Sequence, residues 1–158
     1  MEFNFRGLII PPQRIVLSEV EFHDHFVQAF PSSTTRLKLY AVYKEYTMEF
    51  KEQIGQPFSQ WIAGSFTTLK TNPADLDMVT LADQNVLLGK EKEIRNYFQA
   101  PAWKARGIDS YLLGIRSPDA PDYPIYRSDY VYWMDQFLST RKTRRGKQHP
   151  RGFVEINF

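Results

Sequence analysis

The chain has 158 residues, of which 42% are hydrophobic, 15% aromatic and 24% charged, a length that fits one domain and a composition too apolar for a disordered chain. Its formal net charge of +2 is too small to announce a nucleic-acid binder by bulk electrostatics, so any basic surface must be local. The absence of cysteine removes disulfide scaffolds, thiol catalysis and cysteine-ligated metal sites, and no stretch approaches the roughly 18 apolar residues of a membrane span.

The opening residues Met1-Glu2-Phe3-Asn4-Phe5-Arg6 lack the charged-then-apolar order of a signal peptide, so a cytoplasmic setting is expected. Pro11 and Pro12 forbid helix and leave Gly7 to Pro12 as an extended arm. Ser18 and Glu21 have capping-box spacing and predict a helix start, with Val20, Phe26, Val27 and Phe30 as its buried face. A second helix is predicted from about Thr34 to Ile54, because Leu39, Val42, Tyr43, Tyr46, Phe50 and Ile54 recur at three and four residues. Gly55 stops it.

The period then changes. Phe58 to Ala63 is short, aromatic and β-branched and ends at Gly64-Ser65, as a strand feeding a tight turn does. Asn72-Pro73 marks another turn, and Asp75 to Leu81 reads as a second strand. A helix from roughly Gln84 to Phe98 follows, with Leu87, Glu91, Ile94 and Phe98 on one side and Glu91 as its one polar interruption, and Gly107 to Ile115 is the third strand. Pro118, Pro121 and Pro124 make Ser117 to Pro124 a surface loop. Ser128 is placed to cap a helix whose core stripe is Tyr130, Trp133, Met134, Phe137 and Leu138. The chain closes with six positive charges, Arg141, Lys142, Arg144, Arg145, Lys147 and Arg151, and then an alternating, half-buried strand from Phe153 to Phe158. These elements predict an α/β (α+β) fold, a small mixed sheet packed by helices in a single domain. Residues 1–55 supply the arm and first helices, 56–116 the core, and 117–158 the loop, helix, basic segment and last strand.

One segment carries chemistry: Gly64-Ser65 followed, after nine residues, by Asp75-Leu76-Asp77. In a strand, Asp75 and Asp77 project from one side about 7 Å apart, given a rise of roughly 3.3 Å per residue. Two carboxylates aimed at one point repel unless a cation sits between them, and Mg²⁺ meets that need while leaving positions open for phosphate oxygens. A glycine at 64 lets backbone N–H groups approach a phosphate, and the Ser65 hydroxyl adds a donor. The bland alternative is turn chemistry on a solvated surface.

The strand Trp61-Ile62-Ala63, the Gly64-Ser65 turn and Asp75-Leu76-Asp77-Met78-Val79 together resemble the nucleotidyltransferase superfamily with its polymerase-β-like fold. The resemblance extends to a group of small bacterial nucleotidyltransferase-like proteins through Ile10-Pro11-Pro12, Gly64-Ser65-Phe66 with Lys70, and Arg151-Gly152-Phe153-Val154. It implies Mg²⁺-dependent transfer of a nucleotidyl group from a nucleoside triphosphate, with ATP the expected donor, to a hydroxyl of RNA, protein or a small molecule. It implies that Asp75 and Asp77 bind metal, that Gly64, Ser65 and Lys70 meet phosphates, and that Asp109, as third carboxylate, joins a second Mg²⁺ or serves as base. The alternative is an inactive nucleotide- or partner-binding module of a bacterial toxin–antitoxin or defence system, engaging a partner protein or a second copy of the chain.

The basic residues from Arg141 to Arg151 read either as a solvated loop or as contacts for phosphates or an RNA backbone. A P-loop is rejected because Leu69, not glycine, precedes Lys70. Hydrolase-elbow and dinucleotide-binding patterns are absent, and His23, His25 and His149 are not spaced as metal ligands.

Overall fold

The computed structural model describes residues 1–158. A short ribbon opens the chain, β1 (Glu2–Phe3) antiparallel to β2 (Ile9–Ile10). β3 (Arg14–Val16) follows, a three-residue strand that sequence reading missed because its partner lies at the other end of the chain. The capping box forms as its spacing predicts: the Glu21 N–H donates to Ser18 Oγ at 3.2 Å and the Ser18 N–H to the Glu21 carboxylate at 2.8 Å. It starts α1 (Glu19–His23), which runs on as a π-helical turn over Asp24–Gln28. The wider turn changes the phase of the helix. Phe22, Phe26 and Val27 are buried, whereas Val20, predicted on the buried face, is 70% exposed.

α2 (Arg36–Gln53) buries Leu39, Tyr43, Tyr46 and Phe50, the stripe its spacing predicts. β4 (Phe58–Ala63) and β5 (Leu76–Asp83) pair antiparallel, and Asp75 stands just before the strand rather than in it. The single helix expected from Gln84 to Phe98 is broken. α3 (Gln84–Leu88), capped by Asp83, stops at Gly89; α4 (Glu91–Glu93) leads into a π-helical turn at Ile94–Phe98; α5 (Pro101–Ala105) begins with proline in its first turn. Leu87, Ile94 and Phe98 are nonetheless all buried.

β6 (Ile108–Ile115) lies parallel to β5. α6 (Tyr123–Leu138) starts five residues before the predicted Ser128 cap, since Pro124 in the first turn needs no N–H partner and is tolerated there. β7 (Phe153–Asn157) is a central strand, antiparallel to β4 and parallel to β3. The five-stranded sheet has the order β3-β7-β4-β5-β6. Both of its faces are covered, so β7 is buried on both sides at Phe153, Val154, Glu155 and Ile156 rather than half-buried.

One face carries Ile62, Met78, Ile108 and Val154 into a core with α1 and α2. The other presents Trp61, Val79, Leu81, Leu113 and Phe153 to α6, whose Phe137 closes a smaller cluster. By strand alternation the odd-numbered residues of β5 and β6, Asp77 and Asp109 among them, belong to the α6 face. No helix is long and apolar enough to cross a membrane.

Candidate functional site

The site is built where β4 ends and β5 and β6 begin. Ala63 pairs with Asp77, so the chain turns through Gly64 directly beside that carboxylate. Gly64 has φ +73°, and a Cβ built on it would stand 1.7 Å from Asp77 Oδ2. Glycine is therefore required twice, for the left-handed turn and for the close approach. On the far side of β5, Asp77 pairs with Asp109 across the parallel ladder, which puts the two on adjacent strands about 4.8 Å apart. Neighbouring Leu76 donates its N–H to Gly107 O at 2.8 Å.

Asp75, Asp77, Asp109, Gly64, Ser65 and Lys70 all line one cleft of about 670 Å³. Residues that the sequence spreads over 46 positions are thus brought together. The basic segment divides. Arg141 lines the cleft and its guanidinium meets Asp77 Oδ1 at 3.4 Å. Lys142, Arg144, Arg145 and Lys147 are exposed on the loop after α6 and do not line it. Arg151 leaves the exposed group altogether: it is buried, with Nη1 donating to Gly64 O at 2.8 Å and Nε to Phe137 O at 3.2 Å. It braces the turn and lines the cleft beside Arg141 instead of joining the exposed basic loop.

Electrostatics single out Asp77. Burial raises its pKa above the ordinary carboxylate value, and the negative charges of Asp75 and Asp109 raise it further, opposed by Arg141 and Arg151. Burial lowers the pKa of Arg151, and Asp77 works in the other direction. Asp109 is held by Lys104, whose ammonium stands 3.1 and 3.3 Å from its two oxygens. No group of three or more His, Asp or Glu side chains converges into a cation cage. The donors present are oxygens of carboxylates on adjacent strands, and a magnesium ion is ordinarily held by one or two such groups with phosphates and waters completing its shell. The carboxylate oxygens are donors of the kind that fit Mg²⁺.

Part of the cleft lining is aromatic. Tyr111, two residues beyond Asp109 on the same strand face, packs against Trp133 of α6 with ring centroids 4.5 Å apart. Tyr111 is 41% and Tyr132 55% exposed, and with Trp133 both line the cleft. The stripe expected as core packs as such: Phe137 is buried, and Tyr130, Trp133, Met134 and Leu138 pack partly buried against the same cluster, Trp133 also reaching the cleft. The available signal was the position of Tyr111, which shares its strand face with Asp109.

A model of a family of unknown function, DUF6932, matches residues 1–157, and the chain belongs to that family. No curated protein and no solved structure matches it.

Proposed function

We propose that this member of the DUF6932 family transfers a nucleotidyl group from a nucleoside triphosphate, ATP foremost, to an acceptor hydroxyl. The observation that carries the reading is the Asp77 carboxylate, pressed against Gly64 and paired across the ladder with Asp109 in a single cleft. Gly64, Ser65 and Lys70 receive the β- and γ-phosphates. Asp75 and Asp77 would hold Mg²⁺, which when bound neutralises phosphate charge and polarises the reacting phosphorus. The acceptor oxygen attacks the α-phosphorus, the α–β bridging bond breaks, pyrophosphate leaves, and the hydroxyl proton passes to Asp109, which Lys104 orients. Arg141, whose side chain is 88% exposed, is free to turn from Asp77 to the departing pyrophosphate. Tyr111, Tyr132 and Trp133 offer aromatic faces for the base.

Linkage tests the ligand assignment. A non-hydrolysable ATP analogue with Mg²⁺ should raise the melting temperature, and Asp75→Asn with Asp77→Asn should abolish that rise. An unchanged rise in the double variant removes these residues as ligands.

A second reading, a binding module without turnover, draws on two observations. Lys104 and Arg141 already neutralise Asp109 and Asp77. The outer side of α6 also exposes Ile125 and Val131 at 67% and 56%, apolar surface suited to a partner protein such as the other half of a toxin–antitoxin or defence pair. Triphosphate binding with no transfer to any acceptor would favour it.

A further inference from the structure

Arg36 stands in the first turn of α2 and is completely buried. A cation there opposes the helix dipole, and an arginine is almost never fully buried without a charged partner. Its bonds all go to backbone carbonyls: Nη1 donates to Phe26 O and Phe66 O at 2.7 Å each, Nη2 to Thr68 O at 2.7 Å and Lys70 O at 2.6 Å. The guanidinium carbon lies 3.7 Å from the centre of the Phe30 ring and 5.1 Å from that of Phe66. Burial pulls its pKa down to about 10, still far above neutrality, so the charge persists at pH 7.

Arg151 completes a pattern. It takes Gly64 O, so the alternate carbonyls of the loop, at 64, 66, 68 and 70, are each tied to a buried guanidinium. Across a trans peptide the N–H of residue i+1 points opposite to the carbonyl of residue i. Fixing the carbonyl of Gly64 therefore fixes the direction of the Ser65 N–H, and Ser65, Thr68, Lys70 and Arg151 all line the cleft. The Arg36 charge lies behind this loop with only backbone carbonyls as hydrogen-bond partners, whereas Arg151 lines the cleft and feels the Asp77 carboxylate. A polyanion in the cleft supplies Arg36 with a counter-charge that no carboxylate hydrogen-bonded to it provides.

We propose that Arg36 is a positioning residue which, with Arg151, holds the 64–70 loop in an oligophosphate-binding shape and backs it with positive potential. The proposal deepens the nucleotidyl-transfer reading and rests on it for the class of ligand. The ligand needs neither base nor sugar for this contact, so inorganic tripolyphosphate is the probe.

Tripolyphosphate is titrated calorimetrically into the wild-type chain, Arg36→Lys and Phe98→Leu. Lysine keeps the charge, but its single nitrogen cannot span four carbonyls. Phe98→Leu loosens the core beside Tyr46 and Phe50, away from the loop, and controls for lost stability. Arg36→Lys should weaken tripolyphosphate binding by about tenfold, the scale of one charge-assisted hydrogen bond, while Phe98→Leu leaves it unchanged. Equal affinity in all three proteins overturns the role of Arg36 and leaves the triphosphate site standing, as does equal weakening in both variants. Failure of the wild type to bind overturns the site itself and this role with it. If Arg36→Lys does not fold, amide hydrogen exchange on the wild type decides: tripolyphosphate should slow the Ser65 amide, and an unaltered Ser65 rate refutes the proposal.

Discussion

Gly64→Ala drives a methyl group into the Asp77 carboxylate. The new Cβ would lie 1.7 Å from Oδ2 and 2.7 Å from Cγ, where carbon atoms normally keep about 3.5 Å, so the carboxylate must swing aside by well over 1 Å. Three costs add. Alanine at φ +73° carries about 1–2 kcal/mol of left-handed strain. Forcing Asp77 off its rotamer adds about 0.5–1.5 kcal/mol. The ion pair with Arg141 contributes at most about 1 kcal/mol more. The sum, about 1.5–4.5 kcal/mol, corresponds to a melting temperature lower by roughly 4–14 °C for a chain of this length. Repeating the substitution in an Asp77→Ala background separates the terms. There the nearest remaining atom is Cβ of residue 77 at 3.2 Å, a contact that a shift of a few tenths of an ångström relieves, so mainly the backbone strain should remain and the two substitutions should couple by about 0.5–2.5 kcal/mol. Urea denaturation of the four proteins measures the cycle. Equal costs of Gly64→Ala in both backgrounds would refute the packing of Asp77 on Gly64.

The remaining expectations concern charge. Folding raises the Asp77 pKa from 3.8, so its ionised form weakens the native state at neutral pH, and the penalty fades as pH falls through the folded value toward the unfolded one. Asp77→Asn should accordingly be more stable than the wild type at pH 7, with the gap closing toward pH 4; a gap that widens on acidification contradicts the assignment. Asp109→Asn should lower the transfer rate by at least about 100-fold while triphosphate affinity is kept, and full transfer in that variant removes Asp109 from the chemistry. Replacing Arg144, Arg145 and Lys147 by alanine should leave ATP affinity intact, because none of the three lines the cleft. If the loop grips RNA, the same change should flatten the log–log salt dependence of RNA binding by roughly one unit per lost phosphate contact; lost ATP affinity with unchanged RNA binding would assign the loop to the triphosphate.

What could be read in advance depended on how local its cause was. β4 and β5 stand out as apolar runs because they are buried on both faces, and α2 declares itself by a stripe sustained over five turns. β3 could not be read, since three residues carry no period and their partners are at 153–155. Gly64 with Asp77 was legible through spacing, because the antiparallel pairing of β4 and β5 is a local event. The pairing of Asp77 with Asp109 was not: it depends on a parallel crossover through α3, α4 and α5, and Asp109 entered only through resemblance. Arg36 looks like an ordinary charged residue at a helix start, and Arg151, though part of the Arg151-Gly152-Phe153-Val154 resemblance, reads as one of the basic run; nothing in their neighbours announces burial. Tyr111 and Tyr132 belong to the cleft only through the packing of α6 against β6, a tertiary contact that neither the strand nor the helix period announces.

Nucleotidyl transfer differs from phosphoryl transfer in which bond of the triphosphate breaks. The protein, incubated with Mg²⁺ and a cell lysate depleted of small molecules, is given ATP labelled at the α-phosphate in one reaction and at the γ-phosphate in another. Nucleotidyl transfer predicts label on an acceptor from the α-position alone, with γ-label recovered as pyrophosphate, and both outcomes lost in Asp77→Asn. Label carried to the acceptor from the γ-position, or no transfer from either, would contradict the account.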